Sequence, residues 1–172
     1  MILKNTALVI SLLSLLLFVG CGGASTPAEQ MKAADGAMAA EDFEKAYELY
    51  QGLLNWKGEG EVDKDKRFKA ALESTKCQVQ LGDYEKVQAD FLALENTFPE
   101  EMSGPKSYKH SLVVTNELAR VQAPVLIMTT IIAYAKEKYP DMGTQFDKYG
   151  EDLVKRASTD AEKAALKKLG YL

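Results

Sequence analysis

From about residue 28 onward, apolar side chains recur at intervals of three and four residues almost without interruption. No window alternates apolar and polar residues as a half-buried strand does. Three and four residues are the spacings of one face of an α-helix, so the chain is expected to fold as an all-α domain. Proline and glycine cut the pattern at Pro27, Gly58, Gly60, Gly82, Pro99, Gly104-Pro105, Pro124, Pro140, Gly143 and Gly170, leaving pieces of ordinary helix length. The pieces predict about eight helices, near 28–40, 42–56, 64–81, 83–98, 106–122, 124–138, 144–157 and 159–169.

The segments Glu41-Asp42-Phe43-Glu44-Lys45-Ala46 and Gly82-Asp83-Tyr84-Glu85-Lys86-Val87 write one pattern twice. Counting from Gly82, the chain places Tyr84, Val87, Phe91, Leu94 and Pro99. The same offsets from Glu41 give Phe43, Ala46, Tyr50, Leu53 and Gly58, a separation of 41 residues. A further 41 residues lead to Ala123, and the offsets then give Val125, Met128, Ile132, Ala135 and Pro140. Each set forms one helix face that a single helix pair cannot bury alone, so the pairs are expected to stack, with a distinct unit sealing the end. Residues 141–172 suit that cap: Thr159 and Glu162 form a capping box, Lys167 and Lys168 favour the negative helix end, and Gly170 can stop the helix.

Leu81-Gly82-Asp83-Tyr84 through Phe98-Pro99 resembles the tetratricopeptide repeat, a helix-turn-helix unit whose second helix begins after Gly-x-Tyr and ends near a proline. The resemblance covers roughly residues 28–140 as three helix pairs, with a period longer than the family's 34 residues; the extra length falls in the loops 57–66 and 100–106. It implies a short right-handed superhelix whose groove is lined by the first helix of each pair. On the middle pair that helix projects Lys69, Leu72, Lys76, Val79 and Gln80, which are the expected partner-binding residues. Lys76 suits the family's clamp for a peptide carboxylate, but Leu72 stands where a polar contact is required, so a carboxylate-terminal ligand is not expected.

The first 20 residues carry one cation, Lys4, and a run from Ala7 to Val19 that is apolar except for Ser11 and Ser14, followed by Gly20 and Cys21. This is the layout of a secretory signal, too short to serve as a membrane-spanning helix. Leu17-Phe18-Val19-Gly20-Cys21 resembles the lipobox of bacterial lipoproteins. The resemblance implies removal of residues 1–20, lipidation of Cys21, and a flexible tether at 21–27 that holds the domain to a membrane of the cell envelope. Gly22 is not the aspartate that retains such proteins in the inner membrane, so the outer membrane is the favoured address. Without residues 1–20 the chain has 20 basic and 25 acidic side chains, a net charge of −5. That balance argues against nucleic acid or anionic lipid as a partner. With Cys21 lipidated, Cys77 has no cysteine to pair with inside the chain.

Chemistry is hard to assemble from what remains. His110 is the only histidine, which leaves no histidine-based metal site and no Ser/His/Asp arrangement. Cys77 falls beside Ala70, Ala71 and Ser74 and reads as a packed thiol. Asp63-Lys64-Asp65 begins like a calcium loop, but Arg67 and Phe68 occupy positions that need an oxygen ligand and a glycine. The apolar run 125–133 reads as core, with a surface for a hydrophobic ligand as the alternative. Tyr47, Trp56, Tyr108, Tyr134, Tyr139 and Tyr149 are the aromatic candidates for an interface. The expectation is therefore a non-catalytic envelope lipoprotein without metal or cofactor. It would scaffold an envelope protein or peptide through a helical-repeat groove; the alternative is a lipoprotein holding a small hydrophobic ligand in an apolar cavity.

Overall fold

A computed structural model describes residues 26–172. Cys21, the signal sequence and most of the tether lie outside the described residues. The described chain is all-α: α1 (Pro27–Ala39), α2 (Phe43–Leu54), α3 (Lys64–Leu81), α4 (Tyr84–Thr97), α5 (Gly104–Arg120), α6 (Val125–Lys138), α7 (Gly150–Arg156) and α8 (Asp160–Lys168), with a 3₁₀ helix at Pro140–Tyr149 between α6 and α7.

Short polar residues cap α1, α2, α3 and α8. Thr26 accepts a hydrogen bond from the Glu29 amide at 3.3 Å while the Glu29 carboxylate accepts from the Thr26 amide at 3.1 Å, closing a capping box ahead of Pro27. Asp42 and Asp63 cap α2 and α3 by accepting from the amides of Lys45 and Lys66. Asp63 thus serves as a helix start, which accounts for the acidic run at 63–65. Thr159 and Glu162 form the expected box on α8.

The repeat is clearest in how helices end. Glu41, Gly82, Gln122 and Gly170 all adopt the left-handed backbone conformation, with φ of 59°, 77°, 52° and 77°. At each, the amide of this residue bonds back three residues and the next amide bonds back five: Glu41 to Met38 and Asp42 to Ala37, Gly82 to Val79 and Asp83 to Gln78, Gln122 to Ala119 and Ala123 to Leu118, Gly170 to Lys167 and Tyr171 to Leu166. This is the Schellman arrangement, which satisfies carbonyls that a helix end leaves without partners. The third turn differs from the expected register by one residue, because Gln122 rather than Ala123 takes the left-handed position. Pro124 keeps the residue before it out of helical geometry, so one more residue is needed before α6 begins.

The faces predicted for the second helices are buried at Ala46, Tyr50 and Leu53 on α2, Val87, Phe91 and Leu94 on α4, and Val125, Met128, Ile132 and Ala135 on α6, while the leading aromatics Phe43 and Tyr84 are half-buried. They fall into two cores. Met31, Ala34, Ala37, Ala46, Tyr50, Leu53, Val62, Ala70 and Cys77 form the N-terminal core, and a larger one runs from Phe68 and Val79 to Leu166. α3 supplies residues to both. It touches α1, α2, α4 and α5, while α6 touches α4, α5, the 3₁₀ helix and α8.

The single helix expected at 144–157 is divided into the 3₁₀ helix and α7. Gly143, Phe146 and Tyr149 are the buried residues of the 3₁₀ segment, spaced by three. A 3₁₀ helix has three residues per turn, so it keeps such a stripe on one face where an α-helix would rotate it away. A side chain at Gly150 would meet the Tyr171 ring at 3.0 Å, so glycine permits the close approach of the C-terminal residues there.

Candidate functional site

The residues expected to line a groove lie along α3, but internal partners occupy most of them. Lys69 pairs with Asp35 of α1 at 2.7 Å, and the Tyr50 hydroxyl donates to the other oxygen of Asp35 at 2.8 Å. Burial, and then the bond to Asp35, push the Tyr50 phenol well above its ordinary pKa. Lys76 pairs with Glu73 at 2.7 Å, and Gln80 donates to Glu117 of α5 at 3.0 Å. Leu72 is half-buried against the larger core. Val79 is 0 % exposed and touches no surface, because it belongs to the core where α3 meets α4 and α5. The expectation that Val79 lines a groove is corrected on this ground. What remains on the α1/α3/α5 side is a depression of about 250 Å³ bordered by Met38, Phe43, Lys76, Gln80, Glu117 and Arg120.

A cleft of about 650 Å³ opens on the other side of α3, between α2 and α4. Ala71, Ser74 and Thr75 of α3 and Leu94 of α4 form its floor, and Leu54, Val62 and Phe98 close one end in apolar surface. At the other end Lys86 of α4 donates to the Tyr47 hydroxyl and lies 4.6 Å above that ring, bridging α4 to α2. The bridge favours the charged ammonium and raises the Lys86 pKa. Gln51 donates to the Ser74 hydroxyl at 2.8 Å, and Gln78 donates to Asp90 at 2.8 Å. On the rim Lys64 is held by Glu100 at 2.6 Å and Glu101 at 3.4 Å. Arg67 is exposed on the rim, and its guanidinium makes no hydrogen bond or ion pair among the described residues.

A third, mostly apolar groove of about 540 Å³ lies between α6 and α8 and is open to solvent. The apolar run divides there. Val125, Met128, Ile131 and Ile132 are core, while Leu126, 42 % exposed, and Ala133 face the groove.

The remaining reactive groups are packed. Cys77 lies 4.0 Å from the Met38 sulfur, and burial, then the Glu73 carboxylate, push its thiol up to about 12. His110 stacks edge-on against Phe68 at 4.8 Å, and burial, then Lys106, lower its pKa. Among the described residues no three of histidine, cysteine, aspartate and glutamate gather as metal ligands, and no helix is long and apolar enough to cross a membrane. Neither the α2/α3/α4 cleft nor the α6/α8 groove was legible as such in the sequence. The available signal for the first was the spacing of Lys64, Arg67, Ala71, Ser74 and Thr75 along a second face of α3. No protein family, curated protein or solved structure matches the chain.

Proposed function

We propose that this chain is a lipid-anchored protein of the cell envelope that acts as a non-catalytic scaffold, holding a partner protein or peptide against its stacked helix pairs. The observation that carries this reading is the open cleft of about 650 Å³ between α2, α3 and α4. It combines an apolar end with a polar, charged rim, the composition of recognition surfaces. The contacts of α1 with α3, α3 with α5 and α4 with α6 support a short superhelix of the tetratricopeptide type, right-handed as in the family it resembles. The anchor rests on the sequence alone, through the lipobox-like residues ending at Cys21, with the outer membrane favoured by Gly22.

A photoreactive amino acid placed at Ala93, an exposed residue on the cleft, tests the scaffold in living cells. One discrete crosslinked adduct is expected, and Cys21→Ser is expected to release the chain from the membrane fraction. No adduct from Ala93 or from Lys76 on the opposite side would sink the scaffold; membrane retention of the serine variant would sink the lipid anchor. The α6/α8 groove favours a second reading, a bound hydrophobic small molecule. Native mass spectrometry of the purified chain, with added mass that disappears in Ala133→Glu, distinguishes it.

A further inference from the structure

We infer that the α2/α3/α4 cleft is a recognition site for an extended peptide segment in which an aspartate or glutamate stands beside a bulky apolar residue, an inference that rests on the scaffold reading above. The cleft follows α3 from Lys64 to Thr75. At the helix rise of 1.5 Å per residue this is about 16 Å, the length of roughly five residues of extended chain.

Its charges select the partner's. The Lys64 charge is answered by Glu100 and Glu101, and Asp90 is engaged by Gln78. Lys86 donates to the Tyr47 phenol and lies in the field of the Asp90 and Asp83 carboxylates, whereas Arg67 has no partner among the described residues. Glu61, also on the rim, forms no ion pair with Arg67. The cleft therefore presents one guanidinium without a carboxylate, Arg67, on a chain whose formal net charge is −4. A guanidinium is the group that grips a carboxylate through two parallel hydrogen bonds.

The neighbouring position of the ligand is set by topology. Val62 lies one residue before the Asp63 cap of α3, and Phe98 immediately follows α4, which runs back along α3; both therefore lie at the end of the cleft where Arg67 stands. A carboxylate on Arg67 thus brings the adjacent side chain of an extended ligand to the apolar end formed by Leu54, Val62 and Phe98. The site lies across α3 from the Lys69, Lys76 and Gln80 face, so the two surfaces can be tested separately.

The full-length chain in mild detergent is panned against displayed random heptapeptides. Enrichment of sequences pairing Asp or Glu with Leu, Ile, Met or Phe is expected. A labelled synthetic consensus should bind the native chain and lose about tenfold or more in affinity with Arg67→Glu. Panning that variant should select lysine or arginine in place of the acid. Ala93→Trp, which fills the cleft from an exposed position, should abolish binding with helical content unchanged. Enriched peptides without an acid, or binding that survives both substitutions and is lost with Lys76→Glu, overturn this site and leave the scaffold standing. No enriched sequence at all overturns both.

Discussion

Gly82, Glu41 and Gln122 occupy equivalent turns in the same left-handed conformation, and only one of them is glycine. An added Cβ at Gly82 would meet no heavy atom within 4 Å, so Gly82→Ala tests backbone strain alone. The left-handed conformation costs an L-residue about 1–2 kcal/mol. Loss of glycine's freedom in the unfolded chain returns about 0.4–1 kcal/mol. Taking the centres of these ranges, about 1.5 and 0.7 kcal/mol, Gly82→Ala should destabilise by about 0.8 kcal/mol. The reverse exchanges, Glu41→Gly and Gln122→Gly, should stabilise by a similar amount. Both side chains are exposed and make no hydrogen bond or ion pair among the described residues, and only the Gln122 main-chain oxygen is used, by Arg156. Each exchange should move Tm by about 1–4 °C in a chain of this size. Urea unfolding followed by far-ultraviolet circular dichroism should show shifted midpoints at constant slope. A neutral Gly82→Ala, or glycine variants less stable than the native chain, would refute the equivalence of the three turns.

Phe91, 0 % exposed with its ring 5.8 Å from that of Tyr134, should cost about 3–5 kcal/mol when cut to alanine, seen as a large drop in the urea midpoint. Cys77, with its thiol pushed up to about 12, should react with iodoacetamide at neutral pH only as fast as the native state opens; alkylation at the rate of a free thiol would contradict its packing. The amides of Thr159 and Ser158 hold the Glu162 carboxyl down to about 2, below its ordinary 4.5. Because the folded value is depressed, the support it gives α8 is complete above about 4.5 and is lost as pH falls toward 2. A carboxyl titration by NMR should show that midpoint, and Glu162→Gln should remove the corresponding pH dependence of α8 amide exchange.

Helices, caps and the apolar register of α2, α4 and α6 were legible because each depends on neighbours within one turn. The division at Pro140–Tyr149 was not, since Gly143, Phe146 and Tyr149 follow a spacing of three that an α-helical reading also tolerates. Lys69, Lys76 and Gln80 were correctly placed on one face of α3, yet their occupation by Asp35, Glu73 and Glu117 depends on α1 and α5 approaching from either side, and on a neighbour within the helix itself. Val79 failed as a groove residue for the same reason: whether an apolar side chain lines a groove or a core is decided by the next helix pair. The cleft at Arg67 depends on how far α2 and α4 stand apart, a separation bridged by Lys86 and Tyr47, which are 39 residues distant in sequence.

One feature of α3 bears on how the molecule carries load. Ala70 and Cys77 belong to the N-terminal core while Phe68 and Val79 belong to the larger one, so this helix is the common wall of both. A pull transmitted through the N-terminus enters at α1, whose buried residues are Pro27, Met31, Ala34 and Ala37. Neither α1 nor α2 contributes a residue to the larger core, so a pull on the N-terminus reaches that core through α3.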